Sequence, residues 1–177
     1  MKFVALLRGV NVGGKGTIKM TVLREAFIKA GFRNVSTYIN SGNIVFESDA
    51  KDKKKLTVEI EKLLAEAFFA IKTVVISEAE LKKVFAEIPD SWKKEDVRKY
   101  IAFVKLPSKP EDVIREAQLK TGVDFIEMGH GVVYMTTKME GLMSSGFPKL
   151  IAKKIYRDIT IRNVNTVKKL LLFMKKN

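Results

Sequence analysis

The sequence contains no cysteine and a single histidine, and these two scarcities remove several common kinds of chemistry. Without cysteine the chain cannot form disulfides, thiolate metal sites or cysteine nucleophiles. The lone histidine, His130, gives little basis for a histidine-based metal site or a Ser/His/Asp triad. We therefore expect no metal site, and the sequence identifies neither a cofactor nor a catalytic residue.

Long apolar runs are also missing. No stretch approaches the roughly 18 residues that a bilayer-spanning helix needs, and Arg8 interrupts the apolar segment Phe3–Leu7 before the core of a signal peptide could form. The sequence therefore predicts a cytoplasmic protein with no membrane partner. Because 46% of the residues are apolar, the chain has enough nonpolar side chains for a substantial core.

Positive charge, by contrast, is in excess. The formal net charge is +13, and clusters of basic residues attract the phosphates of nucleic acids. However, 26 of the 33 basic residues are lysine, and scattered lysines often serve only to keep a surface soluble, whereas arginine forms bidentate contacts with phosphates and bases. The charge therefore leaves two interpretations open, a nucleic-acid-binding surface and a merely solvated one.

The glycine-rich segment Arg8–Gly16 follows an apolar run and precedes a helical pattern. Four glycines in nine residues let the backbone approach a ligand closely, and the arginine, asparagine and lysine of the segment supply hydrogen-bond donors. This composition is typical of an anion-binding loop, although it matches neither the P-loop nor the dinucleotide-binding fingerprint. The predicted ligand-binding residues of this segment are Arg8, Asn11, Gly13, Gly14 and Lys15.

Hydrophobic periodicity predicts a βαββαβ order in the first half, followed by an added helix. The predicted elements are a strand Phe3–Leu7, a helix from Met20 to Ala30, strands Val35–Ile39 and Ile44–Glu47, a helix from Leu56 to Ile71, and a strand Thr73–Ile76. The turn Asn40–Asn43 closes the hairpin because its residues tolerate positive φ angles. A capping box at Ser77 and Glu80 begins the added helix.

The second half repeats this order. Its predicted elements are a strand Tyr100–Leu106, a helix from Glu111 to Lys120, strands Asp124–Met128 and Val132–Thr136, a helix Phe147–Tyr156, a strand Ile159–Arg162 and a last helix Thr166–Met174. In addition, Val74–Phe85 aligns without gaps on Thr160–Leu171. We therefore predict an α+β fold, a tandem duplication of ferredoxin-like βαββαβ units that each carry an added C-terminal helix.

The predicted domain boundaries follow from this repeat. The first half covers residues 1–88, the second covers residues 99–177, and the aperiodic segment 89–98 is the linker between them. The only tryptophan, Trp92, lies in this linker. Because a large aromatic side chain is costly to leave in water, we expect Trp92 to be buried against a core.

Sheet topology adds a second segment to the predicted site. In a ferredoxin-like sheet of order 4-1-3-2, strands 1 and 2 are parallel, so the exit of the first strand and the hairpin turn lie at the same end. We therefore expect the turn Asn40–Asn43 to face the loop Arg8–Gly16 and to add Ser41 and Asn43 to the ligand-binding residues. The alternative for this pair is an ordinary hairpin turn.

A comparison of the two halves adds Arg162 and Asn163, which stand where the first half has Ile76 and Ser77. Asparagine replaces serine as a helix cap, whereas an arginine at a strand end beside a helix N-terminus is a candidate ligand contact. The alternative is a surface arginine that pairs with an acidic neighbour. His130 is interpreted as an exposed turn residue, because no sequence neighbour would orient it as a general base.

Three segments together resemble a known family of bacterial proteins, domain of unknown function 1697. They are Ala5–Gly14 with the following Lys19-Met20, then Tyr38–Phe46, and Thr160–Val167. The family usually has glutamine where this sequence has Asn40 and tryptophan where it has Val164. The resemblance implies a duplicated α+β fold with signature residues in these segments, and it implies no established activity, substrate or cofactor.

Two classes of function remain at the level of sequence. The first is a binder or enzyme for a small phosphate-bearing or other anionic ligand, held by the glycine-rich loop and the hairpin. The second is a non-catalytic module that binds nucleic acid or a protein through the basic surface. The sequence lacks the aromatic-flanked pattern of RNA-recognition sheets. This lack disfavours RNA recognition by stacking on a ferredoxin-like sheet, which is one form of the second class. We favour the local ligand site, and the sequence leaves the oligomeric state undefined.

Overall fold

The computed structural model describes residues 1–12, 17–93 and 95–176. Contacts divide the chain into two units: Met1–Leu81 with Lys168–Asn177 form the first, and Lys82–Val167 form the second. Each unit is built on a four-stranded antiparallel sheet with helices, so the protein is α+β. The division differs from the predicted boundaries because part of the last helix joins the first unit, where Phe173 lies 5.5 Å from the ring of Tyr38.

The first unit has the predicted order of elements. They are β1 Lys2–Leu7, α1 Met20–Lys29, β2 Arg33–Thr37, β3 Asn43–Glu47, α2 Lys53–Ala67 and β4 Thr73–Ser77. The strand order across the sheet is β2-β3-β1-β4. Because β1 and β2 are both antiparallel to β3, they run parallel to each other, as the predicted site requires. Helix α3, Glu78–Ala86, follows β4.

The second unit has the same strand order. Its elements are β5 Val97–Val104, α4 Pro110–Glu116, β6 Asp124–Gly129, β7 Val132–Lys138 and β8 Ile159–Asn163, and α5 Val164–Lys176 follows β8. The sheet order is β6-β7-β5-β8, so β8 pairs with β5 as β4 pairs with β1. The segments that align in sequence, residues 74–76 and 160–162, therefore occupy equivalent strands.

One predicted helix of the second unit has a different form. The periodicity of residues 147–156 predicts an α-helix, but the structure has two short 3₁₀ segments, Phe147–Ala152 and Lys154–Asp158. Lys153 between them is extended, with φ −86° and ψ 150°, and interrupts the helical hydrogen bonding. Phe147 and Leu150 are both buried, and their spacing of three residues suits a 3₁₀ turn as well as an α-helix. Hydrophobic periodicity therefore could not distinguish the two forms.

Each unit has its own apolar core on one face of its sheet. In the first, four phenylalanine rings meet, with centroids 4.9 to 5.9 Å apart. Leucines and an isoleucine from both helices complete this core: Leu23, Leu56, Ile60 and Leu64. Burying each such side chain stabilises the fold by roughly 1.5–3 kcal/mol. The second core is smaller and contains Ala102, Val113, Val133, Met135 and Leu150.

The segment predicted as a linker is folded. Asp90–Lys93 forms a 3₁₀ helix, and β5 already begins at Val97. The prediction that Trp92 is buried is confirmed, because only 5% of this residue is exposed. Its ring stands edge-on to Tyr134 at 5.4 Å. The hydroxyl of Tyr134 donates to the carbonyl of Val84 (2.6 Å), and burial raises the pKa of Tyr134 to about 12.

Candidate functional site: a cleft at the start of helix α1

The end of β1 lies directly against the β2–β3 hairpin turn. The amide of Leu7 donates to the carbonyl of Gly42 at 2.8 Å. A Cβ on Gly42 would lie 2.8 Å from the Cβ of Leu7 and 3.3 Å from that of Val10, and its φ is +71°. Only glycine fits this position. The predicted proximity of the first strand's exit and the hairpin turn is therefore present in the structure.

Asn11 joins three parts of this region through its side-chain amide. Its Nδ2 donates to the carbonyls of Ile18 (2.9 Å) and Asn40 (2.8 Å), and its Oδ1 accepts from the amide of Ile18 (2.8 Å). Both amide hydrogens are thus committed within the protein. Its φ of +55° lies in the left-handed region, which asparagine tolerates. Asn11 therefore shapes the site, and its Nδ2 has no hydrogen left for a ligand.

Ser41 and Asn43 contribute mainly to the hairpin turn itself. Asn43 is fully buried, and its Nδ2 donates to the carbonyl of Tyr38 (3.1 Å) and to the hydroxyl of Ser41 (3.0 Å). The amide of Tyr38 in turn donates to the carbonyl of Asn43. These contacts correspond to the ordinary hairpin turn that was the alternative for this pair.

A cleft of about 640 Å³ opens beside this junction. Its volume lies in the range of small-molecule sites. The described residues that line it come from the loop, the start of α1 and the hairpin turn, and none of them is acidic: Asn11, Thr17, Ile18, Lys19, Met20, Thr21 and Asn40. The described lining therefore combines polar and apolar groups and has one cationic side chain, that of Lys19.

The start of α1 faces this cleft without a side-chain cap. The residue before the helix, Lys19, is extended (φ −68°, ψ 129°) and forms no capping hydrogen bond, and the first turn has no acidic residue. The first amide groups of a helix lack acceptors within the helix, and the helix dipole gives this end a partial positive charge. An anion in the cleft would find the backbone donors of this first turn and a favourable field.

The structure brings some of the predicted ligand-binding residues together. Asn11 lines the cleft, whereas Ser41 and Asn43 support the neighbouring turn. Arg8 is half-buried at the end of β1, and its amide donates to the carbonyl of Lys72 (3.0 Å). The predictions for Gly13, Gly14 and Lys15 lie outside the described residues.

Arg162 and Asn163 belong to the second unit, at the end of β8. Arg162 Nη1 donates to the hydroxyl of Thr160 (2.9 Å) and to the carbonyl of Ile161 (3.0 Å), and burial lowers its pKa to about 10. Asn163 Oδ1 accepts from the amide of Asn165 at 2.9 Å, so it caps α5 as its alignment with Ser77 predicts.

Sequence reasoning did not select the four other polar residues that line the cleft, namely Thr17, Lys19, Thr21 and Asn40. Lys19 entered only through the family resemblance, and Asn40 only as part of the hairpin turn. The sequence did contain a signal for this site. Lys19 stands directly before the helical pattern, at the N-cap position, and lysine is not a residue type that caps a helix N-terminus. A helix start without Ser, Thr, Asp or Asn at that position leaves amide groups for another acceptor.

Two other polar features have structural explanations. Asp124 accepts hydrogen bonds from Lys120 N, Gly146 N, Ser145 Oγ and Thr137 Oγ1, at 2.7 to 3.0 Å. Burial alone would raise the pKa of Asp124, but these hydrogen bonds outweigh it and lower the pKa. His130 is exposed in the β6–β7 turn, as predicted. Asp124 therefore anchors the chain.

Within residues 1–12, 17–93 and 95–176, no three acidic or histidine side chains are grouped so that they could hold a metal ion. None of the helices in these same ranges is long and apolar enough to cross a membrane.

Comparison with known proteins identifies the family to which the chain belongs. The chain is a member of the DUF1697 family of proteins of unknown function, which matches residues 1–134 and confirms the resemblance noted in the sequence. Its structure is similar to that of the conserved bacterial protein SP0830 from Streptococcus pneumoniae, with a TM-score of 0.86 and 28% identity over 98% of both chains. No curated protein shows significant sequence similarity.

Proposed function

We propose that this protein binds a small phosphate-bearing or other anionic ligand in the cleft at the start of α1, beside the loop Arg8–Gly16 and the turn Asn40–Asn43. One observation carries the proposal: a cleft of about 640 Å³ combines an uncapped helix N-terminus with Lys19 and contains no acidic residue among its described lining. The proposal concerns binding, and no reaction is assigned.

The chemistry of the lining suits a phosphate or carboxylate group. Backbone amides of the first turn of α1 can donate to its oxygens, and so can the hydroxyls of Thr17 and Thr21. The ammonium of Lys19 supplies the compensating charge. An anion at a helix N-terminus gains about 0.3–1 kcal/mol from the dipole where it is exposed, and hydrogen bonds to a charged group contribute about 1.5–3 kcal/mol when desolvated.

In this proposal the predicted residues have different tasks. Asn11 holds the loop and the hairpin turn in place, and Gly13, Gly14 and Lys15 are proposed to complete the ligand contacts on the strength of their sequence alone. Arg162 and Asn163 are left out, because their polar atoms form the hydrogen bonds within the second unit described above.

Isothermal titration calorimetry with inorganic phosphate and with nucleoside mono-, di- and triphosphates tests the proposal. We expect Lys19→Ala to weaken binding about three- to tenfold, since it removes the one cation of the described lining from a partly exposed site. Lys29→Ala is the matched control, because Lys29 is an exposed lysine in the last turn of the same helix. Absence of binding to wild-type protein, or equal losses in both variants, would contradict the proposal.

We also propose that the two units arose as a tandem duplication of a ferredoxin-like βαββαβ unit with an added helix. Their identical strand order supports this origin, as does the gapless alignment of residues 74–85 with residues 160–171. The two 3₁₀ segments that replace the second crossover helix of the second unit would then be a later divergence.

A further inference from the structure

Helix α5 exposes a face on which three of the five exposed residues that the structure describes are lysines. Its buried side chains are Val164, Val167, Leu170 and Met174. Its exposed residues recur at helical spacing on the opposite side: Asn165, Lys168, Lys169, Leu172 and Lys175. We call Lys168, Lys169, Leu172 and Lys175 the α5 basic face.

No acidic residue of the helix itself neutralises this face. Helix α5 contains no aspartate or glutamate, whereas each of α1 to α4 contains at least one. Lysines on the other helices form ion pairs one turn away, such as Lys62 with Glu66 and Lys83 with Glu87. Within the described residues, the three lysines of the α5 basic face form no ion pair. Their positive potentials therefore add along the helix.

We propose that the α5 basic face binds the phosphate backbone of a nucleic acid. Lys168 and Lys175 are two helical turns apart, which is about 10 Å along the axis at a rise of about 1.5 Å per residue. A line of lysines over that length can contact several phosphates of one strand and release their counterions. Contacts of this kind carry affinity without reading bases, so the binding is independent of sequence.

A membrane surface fits this face less well than a nucleic acid does. A helix that lies in a bilayer interface inserts its apolar side between the lipids. The apolar side of α5 is already buried within the protein, and Leu172, 50% exposed, is the one apolar residue on the basic face. The face therefore offers charge and almost no surface for insertion.

This surface is a different feature from the cleft at α1. None of the described residues that line the cleft belongs to α5. The Lys19→Ala variant, which tests the cleft, should consequently bind nucleic acid as the wild-type protein does. The two proposals can therefore fail separately.

Fluorescence anisotropy of the full chain with a labelled duplex of about 20 base pairs, and with a single strand of the same length, tests the inference across a series of KCl concentrations. We expect an affinity in the range of about 10⁻⁴–10⁻⁶ M near physiological salt, and a logarithm of the binding constant that falls linearly with the logarithm of salt concentration. The triple variant Lys168→Gln, Lys169→Gln, Lys175→Gln should reduce the duplex slope by about 2.7, or about 0.9 for each phosphate that it no longer neutralises.

A control variant removes the same charge elsewhere. Lys29→Gln, Lys62→Gln and Lys93→Gln also delete three exposed lysines, and they should leave most of the slope intact. Thermal unfolding of both variants, followed by circular dichroism, checks that each is folded. An equal loss in both variants, an unchanged slope in the α5 variant, or no binding by wild-type protein at about 100 mM salt would overturn the inference. So would tighter binding to phosphatidylserine–phosphatidylcholine vesicles than to either oligonucleotide.

Discussion

The side chain of Asn11 and the backbone of Ile18 form a reciprocal pair of hydrogen bonds. Asn11 Oδ1 accepts from the amide of Ile18 at 2.8 Å, and Asn11 Nδ2 donates to its carbonyl at 2.9 Å. The side-chain amide of Asn11 thus pairs with both backbone groups of Ile18, as the backbone of an adjacent β-strand would. Because α1 begins two residues after Ile18, this pair positions the helix N-terminus relative to β1 and the hairpin turn.

Replacing Asn11 should therefore reduce stability and disturb the cleft. Asn11→Ala removes three hydrogen bonds of about 0.5–1.5 kcal/mol each, and it replaces asparagine, which tolerates the left-handed region, by alanine, which occupies that region at a cost of about 1–2 kcal/mol. We expect a loss of roughly 2.5–6.5 kcal/mol in the free energy of unfolding, measured by urea denaturation. Asn11→Gly relieves the backbone cost alone and should be the milder change. If the two variants are equally unstable, the backbone angle is unimportant.

Gly42 and Gly131 form a matched pair for the effect of close packing. Both have nearly the same φ, +71° and +72°, but a Cβ on Gly42 would lie 2.8 Å from Leu7 Cβ, whereas one on Gly131 would have no neighbour within 4 Å. Gly131→Ala should cost about 1–2 kcal/mol for the backbone angle alone. Gly42→Ala should cost about 1–3 kcal/mol more for the overlap. Equal unfolding midpoints in urea would contradict the close approach of β1 and the hairpin turn.

Stability should fall in acid because of Asp124. Its pKa in the folded protein is lowered from the ordinary value of 3.8, so the folded state binds a proton less readily than the unfolded state. The resulting stabilisation is fully present above pH 3.8 and is lost as the pH falls through the lower, folded-state pKa. Urea unfolding over a pH series that brackets this range measures the loss.

Two variants check the origin of that pH dependence. Asp124→Asn should be less stable than wild type near neutral pH and should lose less stability on acidification, because its side chain does not titrate. Asp49→Asn is the control: Asp49 pairs with Arg33 on the surface, so salt should suppress its effect. The prediction fails if the acid dependence of Asp124→Asn equals that of wild type.

Local features of this protein were readable from the sequence. The capping box at Ser77 is present, with Ser77 N donating to Glu80 Oε2 at 2.9 Å and Glu80 N to Ser77 Oγ at 3.3 Å. The cap of α5 by Asn163 is of the same kind. Such contacts span two or three residues, and the order of strands and helices depends on equally short apolar periods. The family could likewise be identified from the sequence, because its motifs are contiguous segments.

Tertiary structure decided which side chains form the candidate site. The glycine-rich loop predicts Asn11 as a ligand contact, but its bonds to Ile18 and Asn40 span 7 and 29 residues and commit its side chain to the fold. Lys19 and Asn40 line one cleft only because parallel β1 and β2 bring the start of α1 to the hairpin turn. Residues from Lys168 onward belong to the first unit together with Met1–Leu81. This grouping likewise depends on packing between distant parts of the chain. Local propensities cannot specify such contacts, because each depends on the position of a segment that is remote in the sequence.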